Sequence, residues 1–175
     1  PASLNGDYQL SNTMDFYNPY GDPLVQEEKL TKLFKDAIEQ SYDEDKIEFS
    51  KYDLVVIFHA GIGQDFSLPF LDPTPEDIPS TFIDGDMIQE NLGTSHINVG
   101  NHTIQKGIIL PETQNHLLFD ISESMFLDAE NPCEYQYGLT GTFSLMIGFA
   151  IGLPPLWNIQ TGESGVGVFG LMDQG

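Results

Sequence analysis

Three histidines and a scatter of carboxylates are the residues whose types could do chemistry here. His96 and His102 stand six apart and His116 follows fourteen later, a spacing that matches no standard zinc pattern. If the whole stretch ran as one extended strand, the even separation would put His96 and His102 on one face. His96, His102 and His116 are therefore the candidate ligands of a rearranged metal site. Gly100, between the first two, argues against an unbroken strand. His59 follows an apolar run and reads as a hydrogen-bonded structural histidine. Asp84-Gly85-Asp86 and Asp43-Glu44-Asp45 offer oxygen ligands of the kind calcium gathers, about six to eight at a time. Neither triplet has EF-hand spacing, and a solvated acidic loop is the structural alternative. The nucleophile inventory is short. Cys133 is the single cysteine, which excludes an internal disulfide and has no histidine partner in sequence. No Gly-x-Ser-x-Gly elbow appears, and no lysine closes a phosphate-binding glycine loop. Asn101-His102-Thr103 is a glycosylation sequon by pattern alone.

Charge narrows the partners. The chain of 175 residues holds 27 Asp and Glu against six Lys and no Arg, a net charge of −21. Nucleic acid and anionic membrane surfaces are poor partners for such a field. Hydrophobic residues make up 40% and aromatics 11%, too much for an acidic disordered chain, so the acid is expected to be a skin on a folded body. No run reaches the roughly 18 apolar residues that span a bilayer. The sequence reads as a single domain over residues 1–175. Because it opens at Pro1 without an initiator Met or signal-peptide pattern, it is expected to be a fragment of a longer chain.

The elements that must position these residues follow from periodicity. Residues 1–21 read as loop and edge strand, with Met14-Asp15-Phe16-Tyr17 extended. Asp22-Pro23 starts a helix in which Leu30, Leu33, Phe34, Ala37 and Ile38 recur at helical spacing to about Gln40. Tyr42 to Lys51 reads as a connection. Leu54 to Phe58 is a continuous β-prone run, the pattern of a buried central strand, ending at Ala60-Gly61-Ile62-Gly63. Prolines mark Ser67 to Ser80 as loop. Strands are predicted at Thr81–Ile83, Ile97–Ile104 and Gly107–Leu110, the last ending in Pro111-Glu112. A helix capped by Thr140 or Thr142 runs to about Ile151, stops at Gly152, and a glycine-rich segment leads to Leu171-Met172. The mix favours an α+β (α/β-like) class.

Four segments in order carry a family resemblance: Asp53-Leu54-Val55-Val56-Ile57-Phe58-His59-Ala60-Gly61-Ile62-Gly63-Gln64; Ile109-Leu110-Pro111-Glu112; Gly148-Phe149-Ala150-Ile151-Gly152-Leu153-Pro154; and Gly167-Val168-Phe169-Gly170-Leu171-Met172. Together they resemble the immune inhibitor A type of secreted metallopeptidases, a metzincin-like group, from roughly Glu48 to the C-terminus. The resemblance implies a twisted mixed sheet packed against an active-site helix, with a Met-turn beneath the metal. It also implies a secreted or cell-surface location.

The family's ligand slots are not filled by ligands. The first histidine falls on Leu145, the glutamate on Met146, the second histidine on Phe149 and the third ligand on Pro155. None can bind zinc as imidazole or carboxylate does, and none can act as general base. The resemblance therefore implies a catalytically silent domain with a structural or protein- or peptide-binding role. Its cleft floor would be Leu145, Met146, Phe149 and Met172. Burying the first three could contribute about 1.5–3 kcal/mol apiece, offsetting the lost metal. No cofactor is implied; zinc is not expected, and calcium stays open. Partners would be a protein or peptide, or a second copy of the chain, with no nucleic acid and no membrane insertion. A self-assembling surface or filament subunit, and an active metallopeptidase with a rearranged metal site, are the alternatives. The plain structural reading is a glycine-interrupted core helix with a Pro-Pro stop.

Overall fold

The computed structural model describes residues 7–18, 23–65, 76–114, 139–167 and 169–173. Cys133 and His116 lie outside them, as does most of the proline-rich loop. Among the described residues four α-helices, α1 (Met14–Tyr17), α2 (Pro23–Asp45), α3 (Gly85–Leu92) and α4 (Thr140–Ala150), and a 3-10 turn at Phe49–Lys51 accompany five strands. These are β1 (Val55–Ile62), β2 (Thr81–Ile83), β3 (Ile97–Val99), β4 (His102–Ile104) and β5 (Gly107–Thr113). The fold is α+β, built on a small mixed sheet. No helix of the described residues is long and apolar enough to cross a membrane.

The sheet orders its strands β1-β5-β2, with β1 parallel and β2 antiparallel to β5. The central strand is thus β5, and β1 stands at an edge among the described residues, which corrects the reading of Leu54 to Phe58 as central. The reason lies in burial on two faces. Ile109 joins the larger core beneath α2, whereas Ile108 and Leu110 join a smaller cluster with Ala150 of α4. All three are fully buried. On β1 the same alternation sends Val55 and Ile57 to the α2 side and Val56 to the α4 side. A run covered on both faces looks uninterrupted in sequence whether it is central or not. Only Phe58, 60% exposed, escapes. Pro111, opposite His59, has no N–H for the ladder, and the pairing shifts between His59 and Ile62. There the Gly61 amide donates instead to the Glu112 carboxylate at 3.3 Å.

Helix α2 buries Leu30, Leu33, Phe34 and Ile38 along one stripe. It continues to Asp45, past the expected end near Gln40. Tyr42 packs onto the larger core, Gln40 donates to Glu44 one turn on, and Asp45 accepts the Tyr8 hydroxyl at 2.6 Å. Lys46 then turns left-handed at φ 51° and ends the helix. The Met14–Tyr17 segment is a helical turn, not an extended piece. Tyr17 is buried and donates to Asp36 at 2.8 Å, and Asp36 also receives Lys32 at 2.9 Å. The expected strand 97–104 is a hairpin that turns at Gly100 and Asn101, with Val99 opposite His102. Helix α3 has no counterpart among the expected elements.

Among the described residues two phenols, Tyr8 and Tyr17, are pushed up from their ordinary value. Burial raises Tyr17, the hydrogen bond from Asn12 opposes it, and Asp36 adds to the rise. Tyr8 is raised to about 12, first by its hydrogen bond to Asp45, then by burial and the nearby carboxylate charge. A phenol held protonated in the fold stabilises it fully below its unfolded pKa of about 10, and that contribution fades as pH climbs to about 12. Tyr8→Phe is expected to cost about 0.5–1.5 kcal/mol in urea unfolding at neutral pH. It should also delete the latest step in the tyrosinate absorbance titration. Amplitude lost from the ordinary step near pH 10 instead would show that Tyr8 does not bond Asp45.

Candidate functional site

The surface around α4 is built by helix ends and one long loop. Helix α4 leaves the chain at a Schellman turn: the Leu153 amide donates to the Gly148 carbonyl at 2.9 Å, and the Gly152 amide to the Phe149 carbonyl at 2.9 Å. Gly152 occupies the left-handed position at φ 90°, where a side chain would be strained. Lys106, at the start of β5, donates to the Ala150 carbonyl at 2.5 Å, placing a cation at the negative helix terminus. The helix therefore sits fixed across the β5–β2 side of the sheet.

Of the four positions that the resemblance assigns to ligand slots, Met146 and Phe149 make apolar contacts. Met146 packs with Ile108, Leu110 and Ala150. Phe149 stacks on Phe82 of β2, centroids 6.1 Å apart and planes 26° apart. It meets Trp157 edge-on at 5.9 Å and 75°. Leu145, Met146 and Phe149 are half-buried, whereas Pro155 is exposed. The surface is an aromatic shelf of Phe82, Phe149 and Trp157 beside an edge strand, half open to solvent. The sequence identified Phe149 as informative; Phe82 and Trp157 went unnoticed because Phe82 lies in a distant strand and Trp157 beyond the helix stop at Gly152.

Met172 is buried and lies against α4. A Cβ on Gly148 would collide with its sulfur and crowd its methyl, so glycine there is what lets the methionine approach the helix. The Met172 carbonyl accepts the Leu156 amide at 2.6 Å, tying the segment that leaves the helix to the segment that returns to it. The next residue, Asp173, is 1% exposed. Its carboxylate accepts the Ser164 hydroxyl at 2.5 Å, the Gly165 amide at 3.1 Å and the Val166 amide at 2.9 Å. Asp173 was not among the expected site residues. Its partners lie in an irregular loop, and no periodic signal points to them.

The loop between has its own scaffold. Asn158 accepts the amides of Gln160 and Thr161 with its side-chain oxygen, at 2.9 and 3.2 Å. Its own amide donates to the Glu163 carbonyl at 2.9 Å. Trp157 pairs with Ser164 as an isolated antiparallel bridge. Many of the described backbone amides in 156–167 and 169–173 are thus satisfied within the loop itself.

The other candidate ligands are engaged elsewhere. His102 accepts the Ser50 amide at 3.3 Å and lies edge-on to Tyr42 and Phe49 at 5.9 and 6.1 Å. His96 precedes the other arm of the hairpin and has the Ser95 hydroxyl at 3.4 Å. The strand face that would have joined them is replaced by a turn. Among the described residues no group of three or more His, Cys, Asp or Glu could hold a metal ion. Asp84, offered as a calcium ligand, caps α3 by accepting the Met87 amide at 2.9 Å, and Asp86 lies exposed in the first turn. The Asp43-Glu44-Asp45 triplet closes α2. His59 faces carbonyls with both ring nitrogens, Ala60 at 2.9 Å and Ile78 at 3.0 Å, so it fastens β1 to the segment before β2.

Searches of family models, of curated proteins and of solved structures find no match to the chain.

The Gly148–Met172 approach makes a prediction by sign. Alanine is the better helix former by about 1 kcal/mol, so in a Met172→Ala background Gly148→Ala should stabilise the fold. With Met172 present the thioether must swing aside, and the gain should vanish or reverse, a coupling of about 1 kcal/mol in a double-mutant cycle. Equal effects in the two backgrounds would place Met172 away from the helix.

Proposed function

We propose that the chain is a catalytically silent metallopeptidase-like domain of metzincin type that binds an extended peptide outside the cell. The resemblance to immune inhibitor A-type metallopeptidases supplies the frame, and one observation carries the reading. Phe149, at the position of the family's second histidine, lies between Phe82 and Trp157. On this reading apolar groups take the slots of the metal ligands, and the packing of Met172 against Gly148 supports an assignment of that turn as a Met-turn.

The geometry also supports peptide capture. β2 is an edge strand among the described residues, and its Phe82 contributes to the shelf. An added strand would bond to the β2 backbone and lay alternate side chains on Phe149 and Trp157. Strand addition draws on main-chain hydrogen bonds and needs no metal. The acidic chain favours peptides with basic residues at the remaining positions.

Two measurements test this. Elemental analysis of the purified chain should find zinc far below one per molecule, with no chelator-sensitive peptidase activity; stoichiometric zinc with such activity would overturn the proposal. A short blocked peptide alternating valine and lysine should perturb Trp157 fluorescence on titration. Phe149→Ala should weaken that binding about tenfold, equivalent to about 1.4 kcal/mol. Binding indifferent to Phe149 would remove the shelf from the site.

A further inference from the structure

Eight of the ten large apolar side chains left exposed among the described residues lie between Phe143 and Leu171. Phe169 is 95% exposed, Ile159 75% and Ile151 72%. Leu156 and Val166 converge on Gly170, so the loop gathers its apolar groups instead of scattering them. Monomeric proteins seldom leave apolar residues collected in this way. Nor is the loop loose, since Asp173 and Asn158 fix its backbone. A rigid loop that holds apolar groups in water is prepared for an interface, because little ordering entropy remains to be lost on binding.

Charge identifies the occupant. Residues 139–173 hold two of the 27 acids and none of the six lysines. Asp173 is buried and consumed by the loop, which leaves Glu163 as the one exposed charge in this stretch. The other 25 acids lie before it. Two molecules of net charge −21 repel wherever their acid-rich surfaces meet, and least where loop faces loop. A cationic partner would be drawn to the acid-rich part of the chain, which includes β2, and not to Ile159 and Phe169. Pressing the loop onto the acidic surface of a second copy would bury carboxylates without partners, so like must face like, the condition for a two-fold interface. The size is adequate: 17 of the 20 described residues in 151–171 are exposed, approaching the roughly 20–30 residues a side of a standard interface.

We infer that the 151–171 loop is a homodimerisation surface, at which two copies of the chain meet about a two-fold axis with Ile159 and Phe169 at its centre. It goes beyond the peptide-binding proposal and does not depend on it, since Ile159 and Phe169 are not part of the shelf.

Sedimentation velocity of the intact chain tests it. Dimer is expected at tens of micromolar protein, increasing as NaCl rises from about 0.05 to 0.5 M, because screening relieves the repulsion between acidic bodies. Ile159→Asp and Phe169→Asp, both at exposed positions, should each weaken the dimer about tenfold or more while leaving the circular dichroism melt unchanged. Monomer at every concentration would overturn the inference, and so would a dimer indifferent to both substitutions. Association that weakens with salt would point to charge pairing instead. Assemblies growing beyond the dimer would exclude the two-fold arrangement. Flotation of a monomer with phosphatidylcholine vesicles would reassign the loop to lipid.

Discussion

The burial of β5 on both faces is the constraint from which the rest of the architecture follows. Gly107 to Leu110 cannot contact water on either side, so one helix must cover each face. Helix α2 covers one with a stripe of four apolar residues, and α4 covers the other with Met146, Ile147 and Ala150. The two covers are unequal. The α2 side is a large core joined by α3 and the β3–β4 hairpin, whereas the α4 side has three buried residues and a fringe of half-buried ones. The proposed binding surface falls on the thinner side, where the cover stops before its apolar residues are fully enclosed.

That asymmetry explains how α4 keeps its place. A short helix packed over a small cluster gains little from burial alone, and its termini must be held by other means. Lys106 meets the last carbonyls, the Schellman turn reuses two more, and Met172 fills the gap at Gly148. Each interaction comes from a different part of the chain: the first residue before β5, the helix exit, and the returning loop. The helix is therefore coupled to the sheet and to the loop at once.

Much of this was legible in the sequence, and the exceptions share a cause. The stripe of Leu30, Leu33, Phe34 and Ile38 announces α2, and Gly152 announces the end of α4, because both signals are local. Helix α2 overruns its expected end because Tyr42 finds partners in a hairpin some sixty residues away. Asp84-Gly85-Asp86 reads as oxygen ligands when taken alone; Met87, Ile88 and the left-handed Gly93 that follow turn it into a capped helix. The edge position of β1 was hidden because continuous apolar character reports coverage of both faces and not strand order. In the candidate site, Phe149 was singled out by the resemblance alone, and its stacking on Phe82 depends on the β2–β5 register, which no local pattern encodes.

The loop beneath α4 separates two properties that usually go together, order and apolar burial. Its backbone is held by polar groups, chiefly the Asp173 carboxylate with two amides and a hydroxyl, and the Asn158 amide oxygen with two more. Such bonds, made to a buried charge, can fix a conformation that hydrophobic collapse would not choose. Ile159 and Phe169 are consequently free to point into solvent without the loop folding over them. A loop stabilised by its own apolar contacts would have to loosen before it could offer them to a partner. Here the contacts that fix the shape and the groups that would bind are different atoms, so the surface can be occupied without being remodelled.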